Sequence, residues 1–233
     1  MKKGNNKMKI EVIASTLDDA MKIEQCGGDR IELIMGFEED GLTPSMALIE
    51  LVTKRVKIPV NVMVRPHAKS FVLNKFDVEV MKREIEIVKN TDANGIVIGG
   101  ITADNEVDVE NIEYLLQDRG NLDVTFHACS NYLNDFLKSL KELEELNVTN
   151  ILTKGGQSHI MNNLENLKKY VAESEKINIL VGGNITFDNV EEVVKKTGAK
   201  QIHIGTAARI DNSRILGVDE KKLTKFIQRV RAI

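Results

Sequence analysis

Six polar side chains stand singly inside short apolar runs of this chain: Glu11, Glu32, Arg65, Thr125, His127 and His203. These are the residue types of proton-transfer and anion-binding sites. Carboxylates and imidazoles exchange protons in water, and a guanidinium presents a planar fork to a carboxylate or phosphate. An unpaired charge inside a protein costs several kcal/mol. Glu11 and Glu32 therefore require a partner, with Arg65, a histidine, a metal or water as the options. The requirement predicts a network that includes Glu11, Glu32, Arg65, His127 and His203 as candidate catalytic groups.

The elements that must carry these side chains follow from periodicity. Short β-branched runs alternate with longer stretches of helical period along the whole chain, the pattern of parallel βαβ units. Eight strands are expected near 8–14, 29–34, 58–65, 94–99, 122–127, 149–153, 177–182 and 200–204. Helices are expected near 16–26, 44–56, 77–90, 107–118, 133–146, 160–174, 186–197 and 218–231. Thr43-Pro44 reads as a helix cap with a first-turn proline, and Gly27-Gly28 as a helix stop. Eight repeats without a first-strand G-x-G-x-x-G loop favour a (β/α)8 TIM barrel over an open sheet. Strand parity then separates site from scaffold. Ile10 and Val12 take the helix-facing side, so Glu11 points to the axis, and the same rule turns Glu32, Asn61, Met63, Arg65, Thr125, His127, Gln201 and His203 inward.

Glycines collect at the carboxyl ends of the expected strands: Gly99-Gly100, Gly155-Gly156, Gly182-Gly183 and Gly205. The last two sit in the loops where phosphate-binding barrels place their backbone amides. Gly182, Gly183, Asn184, Gly205 and Arg209 are therefore candidate ligand-binding residues, together with Thr125 and with Lys154 after the sixth strand. The 66–75 connection is long enough for a lid, and 209–217 for a short extra helix.

Composition limits the partners. Lys+Arg number 32 and Asp+Glu 35, for a net charge of −3, with no basic block to hold a nucleic acid. No apolar run approaches the roughly 20 residues that a membrane span needs. A cytoplasmic barrel over residues 8–233 is expected, preceded by a disordered lead-in at 1–7. Of the two cysteines, Cys26 follows a helical pattern as a packing residue. Cys129 falls two residues after His127 in a loop over the mouth, where a partly exposed thiol beside imidazole can ligate Cu(I). His67 and His159 read as solvated loop residues.

With these segments in view, the chain resembles the CutC family, named for copper homeostasis. The resemblance rests on Met8-Lys9-Ile10-Glu11-Val12, Asp29-Arg30-Ile31-Glu32-Leu33, Gly41-Leu42-Thr43-Pro44-Ser45, Val62-Met63-Val64-Arg65-Pro66, Val124-Thr125-Phe126-His127, Leu152-Thr153 with Gly155-Gly156, and Val181-Gly182-Gly183. It implies a (β/α)8 barrel, a cytoplasmic location, homo-oligomerisation and copper handling or Cu(I) binding. The chain departs from the family pattern at the mouth. Ile34 stands where a cysteine commonly follows R-I-E-L, and His67, Lys154 and Asn184 replace an arginine, a serine and a glycine. Phe126-His127-Ala128-Cys129-Ser130-Asn131 lacks the usual arginine and aspartate. Three readings remain open: a copper-homeostasis protein, an enzyme of lyase, isomerase or hydrolase type on a small anionic or phosphorylated metabolite, and a partner-binding scaffold whose mouth is plugged by its own side chains.

Overall fold

The computed structural model describes residues 7–233. The expected lead-in therefore lies outside the described residues except for Lys7, whose ammonium contacts Asp29 at 3.0 Å. Eight parallel strands close into one barrel in chain order. They are β1 (Lys9–Ala14), β2 (Arg30–Leu33), β3 (Val60–Met63), β4 (Gly95–Ile98), β5 (Asp123–Phe126), β6 (Asn150–Thr153), β7 (Asn178–Gly182) and β8 (Gln201–Ile204). The surrounding helices are α1 (Leu17–Gln25), α2 (Met46–Arg55), α3 (Lys75–Lys89), α4 (Val109–Leu116), α5 (Phe136–Glu145), α6 (Leu164–Glu173), α7 (Val190–Thr197) and α8 (Glu220–Arg231). Both sets match the sequence expectation to within a few residues.

Two apolar regions hold this arrangement. A continuous shell between strands and helices contains Ile10, Val12, Ile31, Leu33, Ile202 and Ile204, as parity requires. A separate, small cluster of Ile13, Ile34, Met63 and Val97 fills part of the barrel interior. Polar side chains, with Leu152 and Leu180, fill the rest of the interior. Thr125 Oγ1 accepts from Asn150 at 3.2 Å and from Asn61 at 3.5 Å, and Asn94 bridges Asn61 and Asp123. Room there is short: a Cβ on Gly95 would lie 2.6 Å from the Asp123 carbonyl oxygen.

Local chemistry modifies several expectations. Ser45, not Thr43, caps α2, its hydroxyl accepting from Leu48 N. Thr43 is diverted to the end of β3, where its hydroxyl accepts from Arg65 N at 2.8 Å and donates to Glu84 at 2.9 Å. Gly27, at φ +90°, follows the end of α1 as the glycine stop predicts. The connection before α3 ends in an Asn74–Asp77 capping box, so that helix begins two residues early. His67 on the same connection bonds Asp77 at 2.9 Å and is not a free surface group.

Arg209, expected at the ligand, turns away from the mouth. It is 1% exposed and pairs with equally buried Asp19 at 3.3 Å, while its Nη1 donates to the Leu216 carbonyl at 2.8 Å. Asp19 also accepts from Val218 N at 2.8 Å, so the pair ties the start of α1 to the segment that leads into α8. Removing one member of a buried pair strands the other charge. Arg209→Met should accordingly lower unfolding free energy by about 3–5 kcal/mol in urea titrations. A loss under about 1 kcal/mol, as for an exposed pair, would contradict this role.

Candidate functional site

Glu11 occupies the barrel axis with no solvent exposure. Strand register places Arg30 and His203 opposite it on the two neighbouring strands. One carboxylate oxygen accepts from Arg30 Nε and the other meets His203 Nδ1 at 2.8 Å. Arg30 is fixed in turn by Gln201 at 2.9 Å. Burial raises the proton affinity of Glu11, but the Arg30 charge and the His203 hydrogen bond outweigh it and hold the carboxyl down at about 2. Above this pair, His203 Nε2 lies 3.7 Å from Glu32 Oε2, and Glu32 Oε1 is buried with no hydrogen-bond partner.

The charges along this line decide its chemistry. Arg30 cancels Glu11. Glu32 is left to be neutralised by one proton, carried either on its own carboxyl or on His203. Burial pushes Glu32 up to about 7, helped by Glu11 and opposed by His203 and Arg30. For His203 burial lowers proton affinity, yet the flanking Glu32 and Glu11 raise it overall. A buried carboxyl that keeps its proton up to about 7, 3.7 Å from an imidazole of raised proton affinity, suits general acid–base catalysis.

The line ends in a cavity of about 320 Å³ at the carboxyl ends of the strands, so the mouth is not plugged. That volume lies at the small end of ligand pockets. Glu32, Arg65, His127, Lys154, His203 and the 182–184 and 205 backbone all line it. Four expected residues do not, Cys129 among them. Glu11 lies below it as the group that orients His203, Thr125 belongs to the polar interior, and Arg209 is committed to Asp19.

Arg65 is not the partner of either glutamate. Its Nη1 donates to the main-chain carbonyls of Glu39 at 2.6 Å and Gly41 at 3.0 Å, and its guanidinium lies 4.8 Å from the Phe71 ring centre. Phe71 comes from the long connection before α3 and also packs on His127, with ring centres 5.2 Å apart. Burial, reinforced by the Arg65 charge, pushes His127 down to about 3. Its Nδ1 accepts from Cys129 N at 3.2 Å, so the neutral ring carries its proton on Nε2. His127 is thus a hydrogen-bond donor on the wall and not a proton shuttle at neutral pH.

Cys129 is corrected more sharply. It lies in a 3-10 turn, Ala128–Tyr132, that folds the thiol inward to full burial, and burial drives its pKa far up. It does not line the cavity. Two contributors escaped the sequence reading. Arg30 shares the parity of Glu32 and could have been found by that rule. Asn131, whose Oδ1 accepts from Lys154 N at 2.8 Å, had no signal apart from the fold of its loop.

Fold and site together define a (β/α)8 barrel with a cavity at its carboxyl-end mouth that polar and apolar side chains line. The CutC family profile matches residues 8–208, and the chain belongs to the CutC family. The human copper homeostasis protein cutC homolog is 33% identical over 204 residues, spanning 87% of this chain and 75% of its own. A CutC family protein of Treponema denticola is 33% identical, spanning 87% and 82%. The crystal structure of a putative copper homeostasis protein CutC from Streptococcus agalactiae superposes with a TM-score of 0.81 at 30% identity, covering 85% of this chain and 98% of that one. Phosphoribosyl anthranilate isomerase from Thermococcus kodakaraensis, at 15% identity and a TM-score of 0.63, shares the fold. No helix among the described residues is long and apolar enough to cross a membrane.

The residues fit Cu(I) poorly. Soft Cu(I) selects thiolate and thioether donors, yet the Cys129 thiol is buried and Cys26 Sγ is bonded to the Glu220 carbonyl. The grouping of metal-ligating types found among the described residues is Glu11, Glu32 and His203, a hard oxygen–imidazole set in which both Glu11 oxygens and His203 Nδ1 are already hydrogen-bonded.

Because the folded Glu32 binds its proton more tightly than the ordinary value of 4.5, its contribution to stability is full below pH 4.5 and is lost as pH rises through about 7. Glu32→Gln should remove that loss. Calorimetry should show the variant gaining on the parent between pH 5 and pH 8, at roughly 2–4 °C of Tm per kcal/mol. A Tm difference identical at the two pH values would contradict the raised pKa.

Proposed function

We propose that this chain is an enzyme that moves a proton on a small organic anion, in a reaction of the lyase or isomerase type. The observation that carries the reading is Glu32: a buried carboxyl on the cavity wall, with one oxygen free of any partner. When the shared proton rests on His203, Glu32 is an ionised base facing the ligand. Taking a proton from carbon leaves negative charge on the substrate and adds one positive charge to the Glu32–His203 pair. Arg65, held charged by carbonyls, and the Nε2 proton of His127 stabilise that developing anion. Glu11 and Arg30 keep His203 oriented throughout.

Copper homeostasis, the role in the relatives' names, is the second reading and rests on family membership. Nothing at Cys129 and His127 supports a Cu(I) pair there, since the thiol is buried and His127 Nδ1 is occupied.

The test has two stages. Ligands that raise the melting temperature in a screen of anionic metabolites are incubated with the protein in D2O. Parent protein should catalyse deuterium incorporation into at least one of them. Glu32→Gln should still bind that ligand but exchange it about 10²–10⁴-fold more slowly. Absence of exchange on every stabilising ligand, or exchange at the parental rate in Glu32→Gln, would refute the proposal.

A further inference from the structure

The charge inventory of the cavity points beyond a single anion. Among the described residues, Arg214 is matched by Asp40 at 2.7 Å, Arg30 by Glu11, and Glu32 by the proton it shares with His203. Arg65 and Lys154 have no carboxylate oxygen within 4 Å. They lie beyond the ends of two different strands, β3 and β6, on the wall of one cavity. Neither cation therefore has a direct ion-pair partner within the chain, and Asp40 and Glu39 act on Arg65 only at longer range.

Their surroundings differ in kind. Arg65 is 8% exposed, and both of its hydrogen bonds to carbonyls use Nη1. Its Nε is buried, so Nη2, which makes no hydrogen bond within the protein, is the donor left for a ligand. A guanidinium N–H gives a carboxylate oxygen a directional, charge-assisted hydrogen bond. Lys154 is a point charge whose side chain lies along Gly183, where a Cβ would come within 3.3 Å of it. Gly183 and Asn184 have φ of +88° and +60°, and neither backbone N–H has an acceptor among the described residues. An ammonium with successive free amides suits the several oxygens of a phosphoryl group.

We propose that the ligand is a small phosphorylated carboxylic acid, with its phosphate on Lys154, Gly183 and Asn184 and its carboxylate on Arg65. This inference rests on the reading of the mouth as a metabolite site and names its substrate class. It places the carbon skeleton between the two cations, in the cavity whose wall includes Glu32.

Three probes separate the two poles: glycerol 3-phosphate, glycerate and 3-phosphoglycerate, each titrated calorimetrically into the full chain at millimolar concentration. The parent protein should bind 3-phosphoglycerate at least about tenfold more tightly than either single-anion probe. Lys154→Met should weaken both phosphate-bearing probes and leave glycerate unchanged. Arg65→Lys, which keeps the charge but loses the guanidinium donor at that place, should weaken 3-phosphoglycerate and glycerate while sparing glycerol 3-phosphate. The inference is overturned if no probe binds, if 3-phosphoglycerate shows no advantage, or if either variant weakens all three probes alike. The proton-transfer reading fails separately: the binding pattern can hold while no stabilising ligand exchanges deuterium, and exchange on a ligand with one anionic group would sink the two-anion inference alone.

Discussion

The bond between Glu11 and Arg30 is the constraint on which the mouth depends. Both side chains are nearly or fully buried, so neither charge is tolerable without the other. Once paired, they use up one carboxylate and one cation of the barrel interior. Glu11 then spends its second oxygen on His203 Nδ1, which turns Nε2 towards Glu32. The carboxyl nearest the ligand is left with a proton to share and no fixed cation. Had Arg65 reached Glu32, that carboxyl would be a permanently ionised member of a salt bridge and unable to take a proton near neutral pH.

The same logic governs the cations. Arg65 is anchored by carbonyl oxygens and Lys154 by no acid, so neither is held in a direct ion pair. Such groups cost stability in the free protein and return it on binding, the usual conflict between stability and function at a site. The structural charges are treated differently. Arg209 and Asp19, equally buried, are paired and hydrogen-bonded to the backbone. A site can thus be told from its scaffold by which buried charges lack a partner.

Much of this was legible in the sequence. Alternation in Lys9–Val12 and Arg30–Leu33 put Glu11 and Glu32 on the axis, and eight repeats made that axis a barrel's. Pairing was not legible, because register decides it: Arg30 faces Glu11 only through the β1–β2 alignment. Loop residues were the least readable. Arg209, Cys129 and Thr43 each have the chemistry of a site or a cap, yet a short turn or a competing partner sends each one elsewhere. Spacing along the chain carries no information about such tertiary competition.

Family membership supplies a name connected with copper, whereas the geometry supplies a buried Glu32–His203 pair beneath two cations that lack a direct ion-pair partner. The most direct measurement is the titration of the Glu32 side-chain carboxyl by ¹³C NMR, its resonance assigned by its loss in Glu32→Gln. The account expects a midpoint near 7. A midpoint at the ordinary carboxylate value of 4.5 would show that Glu32 is stably ionised and would contradict the proton-sharing centre.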